Sequence, residues 1–383
     1  LETILHCLGL VVGIILVPAV LFDAFETMVL PRRVTRAYRI ARYYYRHVWT
    51  IWRAICLRAP TGKQRENLLG FFGPLSVLGL LLAWASCLIL GFGLVMWSVG
   101  VPLKVDDHPE SFLTYMYMSG ASFFTIGYGD VVPRSHLGRL AAVFEGGTGF
   151  GFMAVVIGYL PVLYQAFSKR EVTIGLLDAR AGSPPTAAQL LLRAAQSGHL
   201  GALDSFLKDW EQWSGELLES HLSFPVLGYY RSQHDNQSWL AALSTVLDCC
   251  TLIIAAVKDV DPYQAKLTFA MARHSVVDLA LVFNTPPPIV PDRLSPQSLD
   301  TLRQQLAEAG IALREGPTVD QKVAELRGMY EPFVQALAER FLFTIPPFSF
   351  EQPAVDNWQT SAWMRRTVGI SHLSVILQDD HFS

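Results

Sequence analysis

The residues Thr125-Ile126-Gly127-Tyr128-Gly129-Asp130 carry the most specific chemistry in the chain, and that chemistry is coordination of a dehydrated cation by backbone. A potassium ion entering a narrow pore sheds its water. Successive main-chain carbonyls replace that shell only if they point the same way. The required backbone is strained for ordinary residues, and glycine relieves the strain because it accepts positive φ. Gly127 and Gly129 alternate with Ile126 and Tyr128, whose side chains can turn outward and hold the loop open. Thr125 adds its hydroxyl to the lowest ring of oxygens. The expected K+ ligands are the carbonyls of Thr125, Ile126, Gly127 and Tyr128, with Asp130 holding the outer end of the loop through hydrogen bonds.

Such a loop needs elements that hold it at membrane depth, because non-helical backbone is tolerated there only where it lines a cavity. Residues 111–124 form a short apolar stretch, too short to span and suited to a re-entrant helix. Residues 137–167 read as a full span with Glu145 as its one acid. Residues 68–103 carry no formal charge. As one helix they would reach ~54 Å, more than a bilayer needs. Pro74 is expected to break this run, leaving residues 75–99 to span. Residues 3–22 form a further span, followed by Asp23 and Glu26, expected at the interface or paired with nearby arginines.

Of the 383 residues 51% are hydrophobic and 16% charged, below the ~25% charged of soluble domains. The apolar excess sits almost wholly in the first 170 residues. Ten Lys or Arg fall between Pro31 and Glu66, between two apolar segments, which points to a membrane surface with anionic headgroups before nucleic acid. The positive-inside rule then places this stretch in the cytoplasm, the N-terminus outside and the chain after Lys169-Arg170 inside, as a multi-pass protein of the cell membrane. The N-terminal run lacks the marks of a cleavable signal peptide. The five cysteines show neither metal spacing nor a disulfide framework.

The hexapeptide with its flanks resembles the potassium-channel family, whose signature is Thr-Val-Gly-Tyr-Gly-Asp; here Ile126 stands in the Val position. Pro133, the Leu137-Gly138-Arg139-Leu140 start of the next span and Gly149, where the family places its inner-helix hinge, extend the likeness over about residues 68–170. Phe124 replaces a frequent second Thr, and Ala121 stands where some bacterial members carry a carboxylate. The resemblance implies passive K+ permeation without enzyme activity or organic cofactor. With one loop per chain, it also implies a homotetramer. A potassium-transporter subunit and a non-conducting membrane sensor that reuses the pore fold are the alternatives.

The expected fold is an all-α membrane protein in four parts. They are an N-terminal span (1–30), a basic interfacial connector (31–66), a pore domain (67–170) and a C-terminal cytoplasmic helical domain (171–383). Gly149, Gly151 and Pro161 are hinge candidates, although small residues also serve close packing. Glu145 is a candidate brace for the re-entrant helix. Arg33, Arg36, Arg39 and Arg42 recur every third residue, as in a voltage sensor, but a sensor needs partner helices with countercharges and only one span precedes them; with Tyr43–Tyr45, Trp49 and Trp52 they suit an interfacial helix better. Asp106, Asp107 and Glu110 could gather cations at the outer mouth. The C-terminal half reads as about seven helices without a nucleotide, hydrolase or zinc motif. Its histidines (His221, His234, His274, His372) and Cys249-Cys250 suit a core or surface more than a site, and its ligand is not legible.

Overall fold

The computed structural model describes residues 2–30, 39–105, 111–196, 200–233, 236–288 and 292–349. It is all-α apart from one short strand pair, and it divides into two compact units, Leu1–Gln165 and Ala166–Ser383.

The first unit contains α1 (Glu2–Met28), α2 (Ile40–Arg58), α3 (Lys63–Val99), β1 (Leu103–Val105), α4 (Phe112–Phe123), β2 (Val131–Pro133) and the start of α5 (His136–Ala181). α1, α3 and α5 are long and apolar enough to cross a membrane. α1 packs along α3 through small residues. A Cβ on Gly13 would come within 2.6 Å of the Gly91 carbonyl oxygen, so this pair of backbones is closer than any side chain would permit.

One expectation about this unit needs correction. Pro74 does not break α3, which runs unbroken through it. Proline in a membrane helix is tolerated where neighbouring groups support the freed backbone. Near Pro74 the Ser76 hydroxyl donates to the Gly73 carbonyl at 2.8 Å and the Trp52 indole to the Leu68 carbonyl at 3.1 Å; neither is the Gly70 carbonyl that the missing N–H frees. Asp23, expected at the interface or paired with nearby arginines, is met among the described residues by a backbone N–H and an indole. It is fully buried, and its Oδ2 accepts the Ala41 backbone N–H (2.9 Å) and the Trp84 indole N–H (3.1 Å). The first turn of α2 has unpaired N–H groups and the positive end of the helix dipole, and its own N-cap, Arg39, supplies no side-chain acceptor. A carboxylate lent by α1 fills that need and ties α1, α2 and α3 at one point. Glu26 does meet an arginine, Arg39, at 3.8 Å.

Helix α2 is amphipathic. Trp49 and Cys56 are buried, with Trp49 edge-on to Phe72 at 4.8 Å, while Arg42 and Arg46 are exposed. Arg33 and Arg36 lie outside the described residues.

The second unit holds the end of α5 and, among the described residues, seven further helices. These are α6 (Ala187–Gln196), α7 (Leu203–Ser223), α8 (Trp239–Ala255), α9 (Tyr263–Val282), α10 (Pro296–Glu308), α11 (Pro317–Gly328) and α12 (Glu331–Phe341). α8 is apolar and buried nearly all round, as a central core helix should be, and Cys249 and Cys250 lie within it. Its one acid, Asp248, receives two hydrogen bonds from Arg293 (2.9 and 3.2 Å) and one from the Tyr330 hydroxyl (2.5 Å). Arg293 also donates to Glu331 (2.7 Å) and the Pro346 carbonyl (2.7 Å).

The last turns of α5 are gripped within this unit. Arg170 is buried and donates to the carbonyls of Leu227 (2.9 Å) and Tyr230 (3.0 Å) and to Glu171 (2.9 Å). His221 lies 2.8 Å from the Leu217 carbonyl through Nδ1 and 3.3 Å from Arg170 through Nε2. Nδ1 therefore carries the proton and Nε2 accepts. Burial, and then the Arg170 cation, hold this imidazole down to about 3. His274 lies on the surface 3.9 Å from Asp278; His234 and His372 lie outside the described residues.

Candidate functional site

The candidate loop hangs between α4 and α5. α4 starts with a capping box in which the Ser111 Oγ accepts the Thr114 N–H and the Thr114 hydroxyl accepts the Ser111 N–H. Its end is equally defined. Thr125 N–H donates to the Ser122 carbonyl (3.0 Å) and Ile126 N–H to the Ala121 carbonyl (2.9 Å), with Thr125 at φ +54°. This is a Schellman closure, which favours glycine at the left-handed position. A β-branched residue there costs about 1–2 kcal/mol. The first residue of the loop is thus also the stop residue of the helix, with a hydroxyl-bearing side chain where glycine would be easier.

Beyond it, Gly127 and Gly129 take φ +65° and +80°, so left-handed residues occupy every second position from Thr125 to Gly129. In an ordinary strand successive carbonyls alternate sides. A left-handed residue at every second position permits them to face one way, and glycine adopts it without a Cβ penalty. Ile126 and Tyr128 are 51% and 72% exposed in the single chain, so neither packs back into its own subunit.

Four contacts position this loop. Tyr117 of α4 donates its hydroxyl to Asp130 Oδ2 at 2.9 Å, fixing the outer end. Just after it, β2 pairs antiparallel with β1, Val131 opposite Val105 and Pro133 opposite Leu103. This pair sits over a buried cluster of Phe92, Met96, Val101, Leu103, Tyr115 and Met118. On the side of α5, Glu145 is fully buried and hydrogen-bonded to Ser119 of α4, whose Oγ also lies 2.7 Å from the Ile89 carbonyl of α3. Gly149 meets the end of α4, and a Cβ on it would fall on the Phe123 carbonyl oxygen and within 2.7 Å of its carbon.

The structure thus brings Glu145, Gly149 and the loop together through α4. Close packing alone accounts for a glycine at 149. Gly151 has nothing within 4 Å, and Pro161 sits inside an unbroken α5. Asp106, Asp107 and Glu110 lie outside the described residues. Sequence reasoning missed Tyr117, Ser119 and the strand pair. Ser119 had a faint signal, as a polar residue in an apolar segment too short to span; the three-residue strands had none. Among the described residues no group of His, Cys, Asp and Glu is placed to hold a metal ion through side chains.

Comparison with known proteins agrees with this placement. The uncharacterized membrane protein YdjJ of Bacillus subtilis (strain 168) is 26% identical over 192 residues, which cover 49% of this chain and 55% of the relative. The match therefore spans about half of that relative's length. No solved structure matches the chain. Residues 84–165, from the middle of α3 through α4 and the loop into α5, match a family model described as an ion channel, and that match supports an ion channel within a multi-pass membrane protein.

Proposed function

We propose that the chain is one subunit of a potassium-selective channel whose filter is Thr125–Asp130. The observation that carries this reading is the alternating positive φ at Thr125, Gly127 and Gly129, in a loop suspended from a helix too short to span. The oxygens come from main chain, so the selectivity resides in spacing rather than in charged side chains. Tyr117 and Asp130 hold the outer end, and Ser119, Glu145 and Gly149 hold α4 from behind.

One chain supplies one wall of such a pore, so four copies surround the axis. The exposure of Leu137, Leu140, Val143 and Phe144 on α5, beside the exposed Ile126 and Tyr128 of the loop, supports this. Neighbouring copies would cover this face, with lipid around them. Residues 31–58 lie at the cytoplasmic headgroups, the described part exposing Arg42 and Arg46 on one side of α2 and Ile51 and Ile55 on another. The N-terminus is outside and the helical domain is cytoplasmic, where it acts on α5. Gly151 and Pro161 are the places where α5 can bend, since neither is pinned as Gly149 is.

Flux through purified protein in liposomes tests the reading. A potassium gradient should drive a barium-sensitive flux many times larger than an equal sodium gradient does. Equal fluxes for the two ions would refute the filter assignment.

A further inference from the structure

Ser119 has one hydroxyl hydrogen and two oxygen neighbours, the Ile89 carbonyl at 2.7 Å and Glu145 Oε1. A carbonyl oxygen only accepts, and so does an ionised carboxylate. One hydrogen cannot serve both. Were Glu145 ionised, one of these contacts would be an approach of two bare acceptors in a buried site, where an unpaired polar group is costly. A proton on Glu145 removes the conflict. Glu145 then donates to Ser119 Oγ, and Ser119 donates to Ile89.

Two further observations agree. Glu145 Oε2 is buried without a hydrogen-bond partner. A neutral acid leaves a carbonyl oxygen there, whereas a carboxylate would leave an unsolvated charge. Nor is there a cation to balance such a charge, since among the described residues no ion pair involves Glu145 and no charged group acts on it. The titratable side chains of α4 are Tyr115 and Tyr117, and their hydroxyls donate to the Val101 carbonyl and to Asp130. α3 contributes Cys87 in its apolar half and Lys63, Arg65 and Glu66 at its far N-terminal end. On α5 itself, Arg139 donates to the Pro133 carbonyl.

We infer that Glu145 works as a neutral carboxylic acid, the first donor in a chain Glu145 to Ser119 to Ile89 that ties α5, α4 and α3 behind the loop. It is a positioning residue, acting on the loop through α4. Ionisation in alkali removes the donor, places a charge against Ser119 and frees α4 from α5.

Infrared difference spectroscopy of the full chain in liposomes tests the proton without any need for conduction. Wild type minus Glu145→Gln should show the C=O band of a protonated carboxyl at neutral pH, and Ser119→Ala should shift that band. A carboxylate signature in its place overturns the inference. The second test rests on the channel reading. Wild-type flux should fall reversibly as pH rises, and Glu145→Gln, which keeps a donor and cannot ionise, should hold its flux over the same range. A folded Glu145→Gln protein that is silent at neutral pH beside an active wild type, or that keeps the wild-type alkaline loss, also overturns it. A silent wild type with a protonated-acid band would count against the channel reading alone.

Discussion

The two units solve the burial of polar and apolar groups in opposite ways. The helical unit completes itself. Its central helix α8 is enclosed, and the acid on that helix is met by an arginine and a tyrosine from its own unit. The membrane unit is unfinished as a single chain. Leu137, Leu140, Val143, Phe144, Phe150 and Ile157 of α5 are each more than 60% exposed, and the loop's own Ile126 and Tyr128 stand clear. In water such a surface would be a liability. In a bilayer it is a surface for lipid and, on the proposed reading, for copies of the chain. The difference teaches that stability of the helical unit can be read from one chain, whereas the work of the membrane unit depends on what surrounds it.

The sharpest test of this division is to damage each unit and read both. Replacing Gly127 and Gly129 together by alanine forces Cβ atoms onto left-handed positions and should abolish potassium flux, while thermal unfolding of the helical unit stays unchanged. Potassium flux at the wild-type rate in that variant would remove the filter from the account. Asp248→Ala attacks the other side. Arg293 keeps Glu331, but it loses two hydrogen bonds and the buried Tyr330 hydroxyl loses its acceptor, which should cost about 1–3 kcal/mol, read as a lower denaturation midpoint of the helical unit. The ratio of potassium to sodium flux in folded protein should not move; if it did, the two units would not be separable in this way.

A smaller effect follows from His221, whose neutral form is built into the helical unit. Because its folded value is pushed down to about 3, the unfolded chain binds the extra proton first as pH falls below the usual ~6.5. Its contribution to stability is therefore complete above ~6.5 and declines below it by up to about 1.4 kcal/mol per pH unit. Titrating the unfolding midpoint of wild type against His221→Gln between neutral and mildly acid pH measures this. Parallel curves for the two proteins would contradict the buried neutral ring.

How much of this was legible in the sequence depends on the distance between partners. The loop could be read because its chemistry is local, with six consecutive residues supplying both the oxygens and the glycines. The helical character of the C-terminal half was legible from periodicity and from starts such as Ser295-Pro296, where Ser295 does cap α10. The partners of Asp23 were not legible because they lie 18 and 61 residues away, and nothing in a string of residues shows that one helix will lend a cap to another. The unbroken α3 was missed for a related reason. Pro74 is a breaker by its own chemistry, and nothing local to it shows that the helix continues. Glu145 was visible as an acid in an apolar run, but its partner Ser119, 26 residues away, was not.

The closure of α4 at Thr125 has a consequence for insertions and deletions. Ser119, tied to Glu145, and Phe123, whose carbonyl packs on Gly149, are both fixed against α5 on the short segment that Thr125 ends. Adding or removing one residue between them would rotate one anchor against the other by about 100°. No change of side chain could repair that. In this stretch the number of residues is constrained more tightly than their identities, so variants of the pore that keep their function should differ here by substitution and never by length.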